Sequence, residues 1–350
     1  MTDRDLQNAI EEAERTGKHL LTVTGMYDIS HTVLLPSDFT LVLSDCHLRM
    51  TDGSMAQMFR NKGYREGERN SRADADRNIA LIGIGRAVLD GGEYNGLSEK
   101  NSEKDGLPHI SRNSLLLFAN VTGFTVKGLQ IRSQRYWALT FLYCSQGHIC
   151  DVDFCADDTY IDQDGTRKHG LSLTRPYSSV FVKNADGIDL RSGCHDVLIE
   201  NVTGFTEDDT VALTNLSGRV EELYDVTDCP RDIYNIIIRN VRACALCSLV
   251  RLLNQNENGK LFNVLVDGLF DASASSPYMD RGLFAVRIGD THAYGNYVPR
   301  AEAVKDIVIR NVFARTAYAV NLSGAMQNVV TDNVRVFDGS QGVLQDLRDK

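Results

Sequence analysis

Asn235-Ile236-Ile237-Ile238-Arg239-Asn240-Val241 is the stretch on which the fold turns. A polar residue opens it, β-branched residues follow, and Asn plus an apolar residue close it. The same order returns as Asp196-Val197-Leu198-Ile199-Glu200-Asn201-Val202 and as Asp306-Ile307-Val308-Ile309-Arg310-Asn311-Val312. Shorter versions stand at Asn78-Ile79-Ala80-Leu81-Ile82-Gly83, Asn120-Val121-Thr122-Gly123-Phe124, His148-Ile149-Cys150-Asp151-Val152, Asn263-Val264-Leu265-Val266 and Asn328-Val329-Val330. Taking Ile79, Val121, Ile149, Val197, Ile236, Val264, Ile307 and Val329 as equivalent gives coils of about 22 to 28 residues, some doubled or carrying an inserted loop. Such coils cannot bury an apolar face alone, but stacked they share one core. No helical period runs inside the repeat, so a parallel β-helix is expected rather than a leucine-rich horseshoe.

A second strand recurs in each coil. It reads Trp137-Ala138-Leu139-Thr140-Phe141, Gly187-Ile188-Asp189-Leu190, Thr210-Val211-Ala212-Leu213, Leu249-Val250-Arg251-Leu252 and Ala285-Val286-Arg287-Ile288. Strand side chains alternate between faces, so Thr140, Asp189, Ala212, Arg251 and Arg287 should point outward as a ladder with rungs about 4.8 Å apart. Only the N-terminus reads as helix: Leu6, Ile10 and Ala13 recur at helical spacing and Gly17 supplies a stop. The expectation is an all-β chain, a single domain over 1–350, with a helical cap over 1–20 and coils over about 20–340.

Composition narrows the partners. The net charge of −10 repels phosphate backbones, so nucleic acid is not expected. No apolar run reaches the roughly 18 residues that span a bilayer. The start, Met1-Thr2-Asp3-Arg4-Asp5, lacks the basic and apolar segments of a secretory signal. A cytoplasmic address is expected, or a secreted one if a leader has been removed. The 8 cysteines show no zinc-like spacing. Cys244 and Cys247 are read as core thiols, and the set suits a reducing compartment better than a disulfide scaffold. No cofactor is expected.

Asp186 lies just before the strand at 188–190, and Asp208 and Asp209 just before 211–213. Their separation is one coil, so the three carboxylates should meet at one end of the ladder. Like charges this close raise one another's pKa, which a protein keeps for a metal or for acid–base chemistry. Calcium suits such oxygens. Glycosidic hydrolysis needs a proton donor and a base for water. Turn residues capping successive coils are the structural alternative.

Here the sequence resembles glycoside hydrolase family 28, the polygalacturonase and rhamnogalacturonase enzymes. Asn184-Ala185-Asp186-Gly187-Ile188-Asp189 is similar to the family's Asn-Thr-Asp-Gly-(Ile/Phe)-Asp, and Asp208-Asp209-Thr210-Val211-Ala212-Leu213 to its Asp-Asp-Cys-(Ile/Val)-Ala-(Ile/Val). Arg287-Ile288-Gly289 matches its Arg-Ile-Lys in part, and the stretches around Trp137 and over 78–91 add support. The resemblance covers roughly 78–330. It implies a right-handed, single-stranded parallel β-helix of the pectin-lyase-like kind and an inverting hydrolase. In that scheme Asp209 protonates the leaving oxygen, while Asp186 and Asp208 hold and deprotonate the water. Asn184, Asp189, Arg251, Arg287 and His169 are the substrate-binding candidates. Two positions depart from the family: Ser248 stands where its histidine would be, and Gly289 replaces the lysine. Arg251 is the guanidinium that can compensate on a sugar carboxylate, and His169 the imidazole. His109, His195 and His292 carry weaker claims. Trp137 is read as core or rim, and the charged run from Arg60 to Arg77 as a solvated loop, a cleft wall or a subunit contact.

The expected substrate is a pectin-derived oligosaccharide containing uronic acid or rhamnose. Short oligosaccharides and exo-cleavage would suit an intracellular enzyme, with inserts near 50–76, 92–114, 156–178 and 289–303 blocking one end of the groove. The alternatives are a β-helix lyase or epimerase and a catalytically decayed carbohydrate-binding β-helix.

Overall fold

The computed structural model describes residues 1–68, 70–92, 114–156, 159–161, 166–169, 186–217, 219–277, 279–290 and 297–348, with backbone alone at 159–161, 167–169 and 219–220. Two parallel sheets run the length of the chain, one of 12 strands and one of 10. The long strands of the repeat, among them His195–Thr206, Ile233–Ala245, Leu261–Asp271 and Val304–Ala314, lie side by side in the larger sheet. The shorter strands Leu139–Leu142, Ile188–Leu190, Asp209–Asn215, Ser248–Asn254 and Phe284–Gly289 are successive neighbours in the other. Each coil supplies one strand to each sheet, which is a parallel β-helix.

The repeat's asparagines have a backbone role. In Ile233–Ala245, Ile233, Ile236, Ile238, Val241 and Ala243 are all within 1% of full burial. Strict alternation would space them by two throughout, but two gaps are of three. Asn235 (φ 55°) and Asn240 (φ 53°) sit in those gaps in the left-handed region, each bending the strand and resetting its phase. Asn and Asp tolerate that region best among residues with side chains. Their amides then bond from coil to coil: Asn235 Nδ2 donates to Asp196 Oδ1 (2.8 Å), Asn263 Nδ2 to Asn235 Oδ1 (2.6 Å), and Asn333 Nδ2 to Asn311 Oδ1 (2.8 Å). Each such bond stabilises the stack by about 1 kcal/mol.

Two positions in the series, Val121 and Ile149, differ from the sequence reading. Ile79 is opposite Phe124, not Val121, and Phe124 is opposite Gly147, not Ile149. A Cβ on Gly147 would meet the Phe124 ring at 2.1 Å. One large ring thus fills the core volume of two rungs, which hides the repeat where a glycine stands for an apolar residue.

The N-terminal helix spans Asp3–Arg15, with Thr2 and Asp5 forming a capping box and Leu6, Ile10 and Ala13 buried against the first coil. Gln7 Oε1 accepts from Leu34 N at 2.7 Å, covering an edge that would otherwise be open. A second helix, Arg219–Leu223, was not expected. The run from Arg60 to Arg77 is no solvated loop throughout: Tyr64 is 3% exposed and stacks on Tyr224 (ring centroids 5.5 Å apart). No helix among the described residues is long and apolar enough to cross a membrane.

Candidate active site

The expected outward ladder is present. Thr140 pairs with Asp189, Asp189 with Ala212, Ala212 with Arg251 and Arg251 with Arg287. It continues through Asn321 to Gln345. Outward does not mean exposed here: Thr140 and Asp189 are fully buried and Arg251 is 2% exposed, while Arg287 is half-buried.

The coil period brings Asp186, Asp208 and Asp209 together. One carboxylate oxygen from each lies within 4.8 Å of the others. Asp208 sits in the turn between His195–Thr206 and Asp209–Asn215, a turn strapped by the Thr206 and Thr210 hydroxyls at 3.0 Å. Asp209 N donates to Asp186 Oδ1 (2.9 Å), and Gly187 N donates to Asp209 O (2.9 Å), locking the two coils in register.

Asp189 Oδ1 is 3.9 Å from Arg191 Nη1 and near Asp186. Burial, then the neighbouring carboxylates, pushes Asp186 well above the usual carboxylate range. Burial lifts Asp189 to about 8 against the pull of Arg191. Burial and Asp208 lift Asp209 to about 7, against Arg251, the Ser248 hydroxyl and Arg287. So many carboxyls in one buried site cannot all ionise, and near neutral pH the cluster holds protons as a unit.

Ser248, at the family's histidine position, lies opposite Asp209 in the strand register, and its hydroxyl donates to Asp209 Oδ1. A neutral hydroxyl therefore occupies that place. Cys247, expected from the sequence to be a core thiol, stands at the cluster instead. It is half-buried beside Asp208, and burial plus the carboxylates push its thiol far up, so it is no nucleophile.

The second departure also has a cause. Gly289 has φ 75°, and a Cβ there would meet Ser323 O at 1.8 Å. The backbone excludes a lysine at this position. Instead the Gly289 carbonyl accepts from Arg251 Nη1 at 2.7 Å. Arg251 is thus tied into the floor, and Arg287, half-buried and over the Phe284 ring (5.6 Å), is the more exposed guanidinium of the two.

The remaining candidates divide. Asn184 lies outside the described residues, as do His109 and His292. His169 ends the strand Arg167–His169, paired antiparallel with Thr159–Ile161, and its side chain is outside the described set. His195 belongs to the other sheet, stacked on Tyr234 (4.7 Å). Trp137 packs against Tyr136 (4.3 Å) and under the Arg191 guanidinium (3.8 Å), so its ring is committed to the fold. A groove of about 450 Å³, lined by residues including Arg132, Asp153, Phe205 and Arg242, belongs to the long-strand sheet and contains none of the three carboxylates.

Chemically, three close oxygens can bind a hard cation or share protons. The donors already aimed at Asp186 and Asp209 and the low exposure of both suit proton sharing. A parallel solenoid with such a cluster on one outer face, beside a column of Arg and amide side chains, has the layout of a carbohydrate-cleaving β-helix enzyme. The chain belongs to glycosyl hydrolases family 28, whose model matches residues 29–229, and it is a glycoside hydrolase.

Solved structures share the fold. A hyperthermoactive exopolygalacturonase from Thermotoga maritima is 14% identical with TM-score 0.59, the match covering 98% of this chain and 87% of that one. A 1,3-α-1,4-β-D-galactose-4-sulfate-3,6-anhydro-D-galactose-2-sulfate 4 galactohydrolase is 12% identical with TM-score 0.60, covering 99% and 86%. The tailspike protein of Escherichia coli bacteriophage HK620 is 14% identical with TM-score 0.61, and this chain, 99% covered, spans 61% of it. No curated protein sequence matches the chain.

Proposed function

We propose that this single-domain β-helix hydrolyses a glycosidic bond in a pectin-derived oligosaccharide containing uronic acid or rhamnose, with inversion at the anomeric carbon. The observation that carries the proposal is the meeting of Asp186, Asp208 and Asp209 in one proton-holding cluster. Asp209 gives its proton to the leaving oxygen, and Asp186 and Asp208 lodge and deprotonate the water. Burial and the neighbouring carboxylates raise both Asp186 and Asp209, so the empty site's proton belongs to the cluster. Its assignment to Asp209 rests on the family motif. Arg287 takes a substrate carboxylate from the half-open side of the ladder. All 8 cysteines are free thiols, which supports work in a reducing compartment.

Most inverting pairs stand about 6.5–9.5 Å apart with the water between them, and retaining pairs about 5–5.5 Å. Here one oxygen of each of the three carboxylates lies within 4.8 Å of the others, a close-set cluster. Two carboxylates on one water reconcile the closeness with inversion, because the donor then need only reach the leaving oxygen.

The test is hydrolysis of oligogalacturonides and rhamnose–galacturonate oligomers by the wild type and by Asp209→Asn. Loss of the general acid should cut turnover by about 10²–10⁴ while the fold persists. Turnover within tenfold of wild type would refute the assignment. An unsaturated, ultraviolet-absorbing product would show a lyase instead.

A further inference from the structure

The outer face of the short-strand sheet changes character along its length. From the carboxylate cluster toward the C-terminus the ladder offers Arg251, Arg287, Asn321 and Gln345. Toward the N-terminus it offers Thr140 and then Leu117, both fully buried. Leu117, Ala119 and Leu142 belong to an apolar cluster separate from the interior core, shared with Tyr64, Tyr143, Tyr224 and Val226. Such a cluster on the outside of a solenoid means that other chain is packed over it.

The covering chain comes from two excursions, 57–76 and 219–231, which hold each other. Tyr64 Oη and Gly67 N both donate to Leu223 O (3.2 Å each), Thr227 N donates to Asn70 O (3.1 Å), and Arg72 N donates to Asp228 Oδ1 (2.8 Å). Arg72 Nη1 also reaches Tyr143 O at 2.9 Å, and Tyr143 Oη donates to Asp225 Oδ1 at 2.8 Å. The edge of this wall nearest the carboxylates is a buried ion pair. Arg191 Nε donates to Glu221 Oε1 (2.8 Å) and its Nη1 to Thr214 Oγ1 (2.9 Å). The same guanidinium lies over Trp137 and 3.9 Å from Asp189.

Building on the hydrolase reading above, we propose that this wall makes the cleft blind on its N-terminal side, so that the enzyme acts only at a chain end. Beyond the strand that follows Asp186, the strands of Thr140 and Leu117 are the next two rungs and both are covered, so the open floor stops at the carboxylate cluster, leaving room on that side for about one sugar ring. The product released from that side has one short, fixed length. The rest of the substrate lies along the half-buried Arg287 and Gln345, with Asn321 between them bonded to Gln345 Oε1 at 2.8 Å.

The experiment compares a size series of oligogalacturonides and rhamnose–galacturonate oligomers, each free, blocked at its non-reducing end, or blocked at its reducing end. One short product should appear from the first cleavages at every chain length. One of the two blocks should slow hydrolysis roughly a hundredfold or more, as for a pocket that rejects an added group. An early spread of intermediate lengths, or equal rates on all three forms, would overturn the wall while leaving the hydrolase reading intact. If no form is hydrolysed the hydrolase reading falls, and titration of Asp209→Asn with the same oligomers decides the wall. Discrimination between blocked and free ends supports it; equal binding, or none, overturns it.

Discussion

Ser248→Ala probes the cluster through one atom. The Ser248 side chain is fully buried, and its hydroxyl donates to the Asp209 carboxylate, which is 8% exposed. A hydrogen bond to a charged group contributes about 1.5–3 kcal/mol. One pKa unit is about 1.36 kcal/mol. Removing the hydroxyl therefore raises the Asp209 pKa by about 1–2 units from a starting point lifted to about 7. The sign follows from what remains: burial and Asp208 still push up, and one of the downward pulls is gone. A general acid works while protonated, so the alkaline limb of the kcat profile should move to higher pH by that amount. The assay is initial-rate hydrolysis across the pH range for both proteins, with circular dichroism confirming the fold. A limb that stays in place, or moves down, would refute the idea that Ser248 acts on the proton donor.

Gly289→Ala should destabilise the protein by about 1–3 kcal/mol in urea unfolding, since alanine resists φ 75° and its Cβ would strike Ser323 O; an unchanged midpoint would contradict this. Asp189→Asn tests the buried charge through pH. Its folded pKa of about 8 lies above the unfolded value near 3.9, so its contribution to stability is full below about pH 4 and is lost as pH rises to about 8. Wild-type Tm should fall across that window and the Asn variant's should fall less, whereas parallel curves would remove Asp189 from the cluster's energetics.

Much of the fold was legible because stacking repeats a chemical demand. The β-branched residues mark the core, and Asn235, Asn240 and their counterparts mark the left-handed bends that reset it. Reading failed at Phe124 and Gly147, where one ring does the work of two side chains. The Asp cluster was legible for the same reason as the fold, since one coil separates Asp186 from Asp208 and Asp209. Ser248 could be placed by motif, although its bond to Asp209 could not. The wall was half-anticipated as an insert near 50–76. Its other half, 219–231, carries no period, and Tyr64 meets Tyr224 only through the superhelix. Arg251 looked like a substrate ligand on the ladder because a sequence does not show the bare Gly289 carbonyl that claims it.

The central claim is that a water held by two carboxylates attacks while a third delivers the proton. The direct measurement is proton NMR of the first-formed product, before mutarotation, from any oligosaccharide the enzyme cleaves. The account predicts an anomeric signal opposite in configuration to the scissile bond. A product that keeps the original configuration would mean that one of the closely set carboxylates attacks the sugar itself, and the roles given to Asp186, Asp208 and Asp209 would be wrong.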